Sequence, residues 1–498
     1  MCGILLVKSA HPIPLEQHLA ALRKLESRGP DFSRYQYKNN IFIAQAVLHI
    51  TGTNDYYNQQ HTNFLAYNGE IYNYQDLGAY ANDIEFVDDA VNNNPERLKD
   101  GWGPWAWAWT NGTTVRYAAD PQGEKTLYQY QDDNILIVCS EVAPILEYIK
   151  AVKLTMDYST RHWAILEQTP WTGITRVTPG KMYMDGKPNI ELDSVWNWIA
   201  PATYNNIDEA YEEFKSIWQH TLELMTPACA AALTYSGGLD SSIILSHIDN
   251  LELYTTDMLG KDPIASGIVD FLTPVEQTRL HKLEIDPELW AQQFCAVIRR
   301  TQMPVQSWSF VGQWAISESC EQRVLFTGAG ADELFGGYNL YQQLNYSTEY
   351  SVSPYSQNCD GDLWKKCLTV YDQHAGQATM LADYWHQIAG CDVRGIDSIT
   401  GAWGIEGRNP FIAKPVMQFA LNLPFEFKVG ATTKPLIQRL FLERWKEKDI
   451  LPKKGFTGHC NDALPWLGID IDTTGNRDQD WHRIVLKSFY TDSTQPGY

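Results

Sequence analysis

A chain of 498 residues is too long for one ordinary hydrophobic core, and two to three domains follow from that length. Its net charge of −21 speaks against nucleic acid as a main partner, because phosphate contacts need clustered Lys and Arg. With 44% hydrophobic and 20% charged residues, no apolar run near the ~20 that span a bilayer, and nine Cys without CxxC spacing, the composition describes a cytoplasmic globular protein lacking membrane spans, a disulfide framework and zinc sites.

Met1-Cys2-Gly3-Ile4-Leu5-Leu6-Val7 reads as a strand opening directly behind a cysteine, without the basic and apolar segments of a secretory leader. Removal of Met1 would leave Cys2 with a free α-amine of pKa ~8 beside its thiol, so one residue would supply nucleophile and base. An ordinary buried cysteine on a strand is the alternative. Ser27-Arg28-Gly29-Pro30-Asp31 is a turn, and Tyr67-Asn68-Gly69-Glu70-Ile71-Tyr72-Asn73 is a polar turn in apolar surroundings. Phe86-Val87-Asp88-Asp89 carries two carboxylates, while Asp120–Tyr128 and Ser140-Glu141 read as hairpin turns. The strands up to this point are short, aromatic-rich and turn-bounded, which predicts antiparallel sheets with some helix.

The stretch from Asp193 to Ile207 holds Pro201, Asn205 and Asn206 without a long apolar pattern. It divides the chain into domains 1–195 and 206–498. Ile207, Tyr211, Phe214, Trp218 and Leu222 then recur at helical spacing, a core-facing stripe from 207 to 225. Ala230–Tyr235 suits a buried strand and Ile243–His247 the start of a helix. Between them lies Ser236-Gly237-Gly238-Leu239-Asp240-Ser241-Ser242. Two glycines there permit a tight turn that gathers N–H groups, and the helix start adds its own, so the loop suits phosphate. The serine hydroxyls are further donors, and Asp240 is a hard oxygen ligand for Mg²⁺. Arg323–Tyr338 repeats the pattern: strand Val324–Phe326, the turn Thr327-Gly328-Ala329-Gly330, then Asp332, placed to meet Asp240 across one metal ion. Alternating strands and helices around these loops predict a mostly parallel sheet with the nucleotide at its carboxyl edge.

Met1-Cys2-Gly3-Ile4, the Arg-Gly-Pro-Asp turn and Asn68-Gly69-Glu70 resemble the class II glutamine amidotransferase domain. The loop at 236–242 resembles that of ATP pyrophosphatases. Together with 323–338, Ala402–Phe411, Thr433-Lys434 and Pro452–Phe456, the chain resembles the glutamine-hydrolysing asparagine synthetase family from Met1 to about Phe456. The resemblance implies an N-terminal antiparallel β-sandwich flanked by helices and a C-terminal parallel α/β sheet. It makes Cys2 the nucleophile, Asn68 and the Gly69 N–H the oxyanion hole, and Leu48, Ile50, Asn68, Gly69, Glu70 and Asp88 (or Asp89) the glutamine site. Thr234, Ser236, Gly237, Gly238, Leu239, Asp240, Ser241, Ser242, Thr327, Gly328 and Lys434 would hold ATP and pyrophosphate. Asp240 and Asp332 would hold Mg²⁺, Lys453 would face the α-phosphate, and Asp392 would take a proton.

The implied reaction is ATP-driven adenylation of the aspartate side chain, with ammonia from glutamine giving asparagine, AMP and pyrophosphate. A related amide or lactam synthetase acting on another carboxylate, or a member that has lost one activity, is the alternative. The implied partners are small molecules, with homodimerisation left open. Two departures stand out. Val47 occupies the position where the family usually places an Arg for the glutamine α-carboxylate, and an aliphatic side chain cannot form that fork. Ala329 stands where asparagine synthetases carry an acid associated with the acyl-adenylate.

Overall fold

A computed structural model describes residues 1–50, 63–149, 167–200, 204–258, 268–303, 307, 309–344, 361–372, 374–446, 448 and 466. Eleven strands lie in the first 191 residues of that set: β1 (Gly3–Ser9), β2 (Phe32–Lys38), β3 (Ile41–Val47), β4 (Phe64–Gly69), β5 (Trp105–Thr110), β6 (Val115–Ala119), β7 (Tyr128–Gln131), β8 (Ile135–Cys139), β9 (Ile174–Arg176), β10 (Lys181–Met184) and β11 (Lys187–Glu191). They form two antiparallel sheets, ordered β2-β3-β1-β8-β7-β9 and β11-β10-β6-β5-β4. Ile4 and Leu6 of β1 face the layer between the sheets, while Leu5 and Val7 face the helix Leu15–Arg23. Burial on both faces is why β1 reads as an unbroken apolar run.

β5 shows the same logic with size. Ala106 and Ala108 sit in the tight inter-sheet layer, and Trp105, Trp107 and Trp109 fill the outer face under the helix Asp83–Asn93. Small residues inside and large ones outside fit the period-2 alternation of a strand.

The second half carries β12 (Ala231–Thr234), β13 (Glu252–Met258), β14 (Leu280–Ile285), β15 (Val324–Phe326) and β16 (Glu406–Arg408), all parallel in the order β14-β13-β12-β15-β16. The expected pairing of an antiparallel sandwich with a parallel α/β sheet is therefore present. The chain leaves β12 toward β13 on one side and reaches β15 on the other, so the strand order reverses between β12 and β15. Ligands of open α/β sheets bind outside the carboxyl ends at such a point. The helix Ile207–Met225, capped by Asn206, buries Tyr211, Phe214, Trp218 and Leu222 against this sheet's core, as their spacing predicts. Among the described residues no helix is long and apolar enough to cross a membrane.

Candidate active sites

The first site forms where β1 begins. The Cys2 backbone N donates to Asn68 Oδ1 at 2.6 Å, its carbonyl accepts from Arg28 Nε at 3.2 Å, and its Sγ lies 3.8 Å from the Leu48 carbonyl. Asn68 is fully buried, and its Nδ2 has no hydrogen-bond partner among the described residues. A buried amide donor left unengaged costs stability, and it suits a group that must meet charge appearing only during reaction. Gly69 follows at φ +145°, and a Cβ there would come within 2.1 Å of the Pro104 carbonyl oxygen, so this turn accepts only glycine. The Arg-Gly-Pro-Asp turn is equally tight: a Cβ on Gly29 would meet the Ala46–Val47 backbone at 2.1–2.3 Å.

Cys2, Leu48, Ile50, Gly69 and Glu70 line one cavity together with His49, Asp83 and Glu406. Asp88 does not join them. It lies farther along the helix Asp83–Asn93, where its carboxylate accepts from Asn92 Nδ2 at 2.8 Å, and Asp89 pairs with Arg97 at 2.6 Å. The carboxylate at the cavity is Asp83, in the first turn of that helix, accepting from Tyr67 Oη at 2.9 Å and the Ile71 N–H at 3.2 Å. Asn82, which caps the helix by accepting from the Glu85 N–H, was the available sign that Asp83 stands at a helix mouth. Burial raises Asp83 to about 6 despite those hydrogen bonds.

Glu406, from β16, is the other unforeseen contributor. Burial alone would raise it, but Arg408 and the Met1 ammonium, 3.5 Å away, outweigh burial and hold it low. Glu70 moves the opposite way, because its burial exceeds the pull of Arg408 at 3.0 Å. Val47, fully buried at the end of β3, shares the face of Gln45, whose amide donates to the Tyr67 carbonyl on β4.

The second site sits at the reversal between β12 and β15. In the loop after β12, Ser236 Oγ accepts from the Gly238 N–H, and the Ser241 hydroxyl contacts both Ser236 and the Gly238 carbonyl. Gly237 adopts φ +69°, which turns the chain into the helix Leu239–Leu245 carrying Asp240 and the buried Ser242. A Cβ on Gly328 of the β15 loop would lie 3.1 Å from that of Asp240, so the two loops touch. Lys434 Nζ joins them, at 2.6 and 2.8 Å from the Asp240 oxygens and 2.5 Å from Asp332 Oδ1. Its charge is stabilised because the two carboxylates outweigh its burial. Gly337 leaves room for this arrangement, since a Cβ there would overlap Asp332 and the Lys434 stem.

Two further acids lie close by. Asp392 ends a wide-turn helical stretch, Tyr384–Asp392, and accepts from Gln387 Nε2 at 3.0 Å. Burial lifts it to about 6, opposed by hydrogen bonds from Gln387 and Cys391 and reinforced by Asp332. Glu333, bonded by Tyr338 Oη at 2.5 Å, is raised by burial and then by Asp332. Ala329 contributes only its N–H, to Thr327 Oγ1 at 3.3 Å. Lys453 lies outside the described residues. Asp240 and Asp332 fit a hard divalent cation at the point now held by Lys434. Among the described residues no cluster of three or more His, Cys, Asp or Glu forms a metal site.

The sites are joined by buried polar contacts. Arg408 pairs with Glu70 and Glu406, and its carbonyl accepts from the Thr327 N–H at 3.0 Å. Asn409 donates to Glu124 Oε1 at 2.8 Å and accepts from the Thr327 hydroxyl. Nearby, Arg28 binds Glu141 at 2.5 Å and Asp397 at 2.8 Å, and Lys125 lies 3.3 Å from Asp397.

The family described as a glutamine amidotransferase domain matches residues 1–196, and the one described as asparagine synthase matches residues 230–462. Asparagine synthetase B (glutamine-hydrolyzing) of Escherichia coli is 22% identical over 485 residues, 89% of this chain and 79% of that one. Asparagine synthetase (glutamine-hydrolyzing) 1 of Lotus japonicus is 23% identical over 91% of this chain and 76% of that one. Amidase chry2 of Gibberella zeae is 22% identical over 66% of this chain, which spans only 56% of that relative's length. Among solved structures, the glutamine phosphoribosylpyrophosphate amidotransferase of B. subtilis, complexed with ADP and GMP, aligns at TM-score 0.29 and 15% identity over 57% of this chain and 65% of that one, too slight a likeness to add weight. On its two matched families, over residues 1–196 and 230–462, the chain belongs to the glutamine-hydrolysing asparagine synthetase family.

Proposed function

We propose that the chain is an ATP-consuming, glutamine-dependent amide synthetase. The Cys2 thiolate adds to a side-chain carboxamide, the C–N bond breaks, ammonia leaves, and water cleaves the resulting thioester. Asn68 Nδ2 and the Gly69 N–H hold the oxyanion. At the second site the Ser236–Ser242 loop and Lys434 hold ATP phosphates while a substrate carboxylate attacks the α-phosphate and pyrophosphate departs. Asp240 and Asp332 would carry Mg²⁺, which when bound neutralises the leaving pyrophosphate. Ammonia then attacks the acyl-adenylate, and Asp392 is suited to take its proton, since a carboxyl near 6 is a competent base at neutral pH.

The observation that carries this reading is the path of β16. Glu406 lines the Cys2 cavity, Arg408 holds Glu70, and the Arg408 carbonyl and Asn409 bind Thr327 at the mouth of the nucleotide loops. One short strand thus ties both centres across a buried interface, suited to ammonia that must stay unprotonated in transit. The first acceptor to test is aspartate, giving asparagine. Ala329 favours a second reading, in which another carboxylate is activated. Pyrophosphate release with ATP, Mg²⁺ and a panel of carboxylates separates the two, and release with none of them would refute both.

A further inference from the structure

The helical stretch Tyr384–Asp392 is wound with i→i+5 hydrogen bonds, the Val393 N–H donating to the Ile388 carbonyl at its end. Such winding is rare beyond a single turn and persists where neighbouring structure holds it. It decides where Asp392 points. Gln387 and Asp392 are five positions apart, and in an α-helix of 3.6 residues per turn their side chains would diverge by about 140°. Here Gln387 Nε2 donates to Asp392 Oδ1 at 3.0 Å, as the wider turn allows. Asp392 there feels the charge of Asp332, the loop acid paired with Lys434.

Two tethers reach this stretch from the half matched as an amidotransferase domain. At its start the Tyr384 hydroxyl donates to the Gln122 carbonyl at 3.0 Å. Toward its end Arg176 of β9 donates from Nη1 to the Ala389 carbonyl at 2.6 Å, and from Nη2 to the Gly123 carbonyl. Gly123 sits at φ +76°, and a Cβ there would lie 2.7 Å from Arg176 Nη2, so the turn is shaped around the guanidinium. Arg176 is buried, and Asp120, an acid whose charge reaches it, is taken up by the N–H groups of Glu124 and Lys125. An enclosed guanidinium resting on two neutral carbonyls is a costly way to fill a core, because an apolar side chain of like volume avoids the desolvation.

Resting on the reading of Asp392 as the group that takes the ammonia proton, we propose that Arg176 is a positioning residue for amide formation: its grip on the Ala389 carbonyl holds the i→i+5 winding that turns Asp392 beside Gln387. Its effect falls on the step after adenylation. There ammonia attacks the adenylate carbonyl, the C–N bond forms, the C–O bond to AMP breaks with its electron pair on AMP, and Asp392 takes the proton from nitrogen.

The test uses the full chain with ATP, Mg²⁺, ammonium salt and aspartate, or the panel carboxylate that releases pyrophosphate fastest. Amide formation is followed beside ATP–pyrophosphate exchange, which reads adenylation alone. Asp392→Asn should lower amide formation by a factor on the order of 100. Arg176→Met should lower its kcat about tenfold, with exchange and the ammonium KM unchanged within about twofold, as a displaced Asp392 requires. Added to Asp392→Asn, Arg176→Met should cost nothing further, because residues that act through one another are not additive. Arg176→Lys, which keeps the charge and a donor for Ala389, should lose only about threefold, again not on the Asp392→Asn background, and decides the matter where the Met variant folds poorly. Equal loss of exchange and amide formation, the same loss on the Asp392→Asn background, or no loss at all overturns the proposal and leaves the Asp392 reading standing. Normal amide formation by Asp392→Asn overturns both.

Discussion

Asp240→Asn separates a metal-phosphate role from a structural one. The carboxylate takes two charge-assisted hydrogen bonds from Lys434 Nζ, at 2.6 and 2.8 Å, and Asn keeps the shape but only one acceptor oxygen. Lys434 retains Asp332 at 2.5 Å, so its buried ammonium stays paired. The folding cost is then one charge-assisted hydrogen bond less one neutral bond, about 1–2 kcal/mol. Catalysis should suffer more. Removing one strong contact to developing charge costs about 3 kcal/mol, a factor on the order of 100 in adenylation. The assay is pyrophosphate release at saturating Mg²⁺ with added ammonium, so that the first site is bypassed, alongside ammonia release from the amide donor as a check on the other domain. Release should fall about 100-fold while ammonia production persists. Near-normal pyrophosphate release would remove Asp240 from the phosphate site and leave it a helix-start residue, where Asn serves equally well.

Cys2→Ala should abolish ammonia release while synthesis from ammonium salt continues; loss of both, or of neither, contradicts the nucleophile assignment. Asp83→Asn should raise the KM for the amide donor about tenfold, whereas Asp88→Asn should leave it unchanged, and the reverse pattern would restore Asp88 to the site. Glu124 is raised by burial to about 8, with Lys125 opposing. A carboxyl raised on folding favours the folded state below its unfolded value, and that benefit is lost as pH rises from about 4.5 through about 8. Glu124→Gln should therefore match wild type near pH 5 and gain stability above pH 8, by at most about 5 kcal/mol. Denaturation midpoints at the two pH values check this, and a pH-independent difference would refute it.

What could be read from the chain beforehand was what the backbone itself demands. Gly29, Gly69 and Gly237 sit where a Cβ would strike a neighbouring chain segment or where φ is positive, so the loops around them carry their geometry in residue type. The apolar run of β1 and the spacing from Tyr211 to Leu222 reported burial for the same direct reason. Contacts that exist only after distant strands pack were not legible. Glu406 and Arg408 are separated from Glu70 by more than 330 positions, and no local period announces that they meet. Asp83 was missed because the Asp88-Asp89 pair is the more conspicuous acidic feature, although a helix turns those side chains away from its mouth. Lys434 was placed with ATP, but its bridging of both loop carboxylates needed the reversal between β12 and β15 to be seen.

Arg28 has a consequence for how this molecule can be cut. Its guanidinium is fully enclosed, and it holds the backbone of Cys2 with one nitrogen while Asp397, more than three hundred residues away, balances its charge. Severing the chain after the amidotransferase half would leave it Glu141 alone of these two acidic partners and open the buried face to water. Losing one partner of such an enclosed ion pair costs about 3–5 kcal/mol, a large share of a domain's whole stability. The footing of Cys2 thus depends on residues from both halves of the chain.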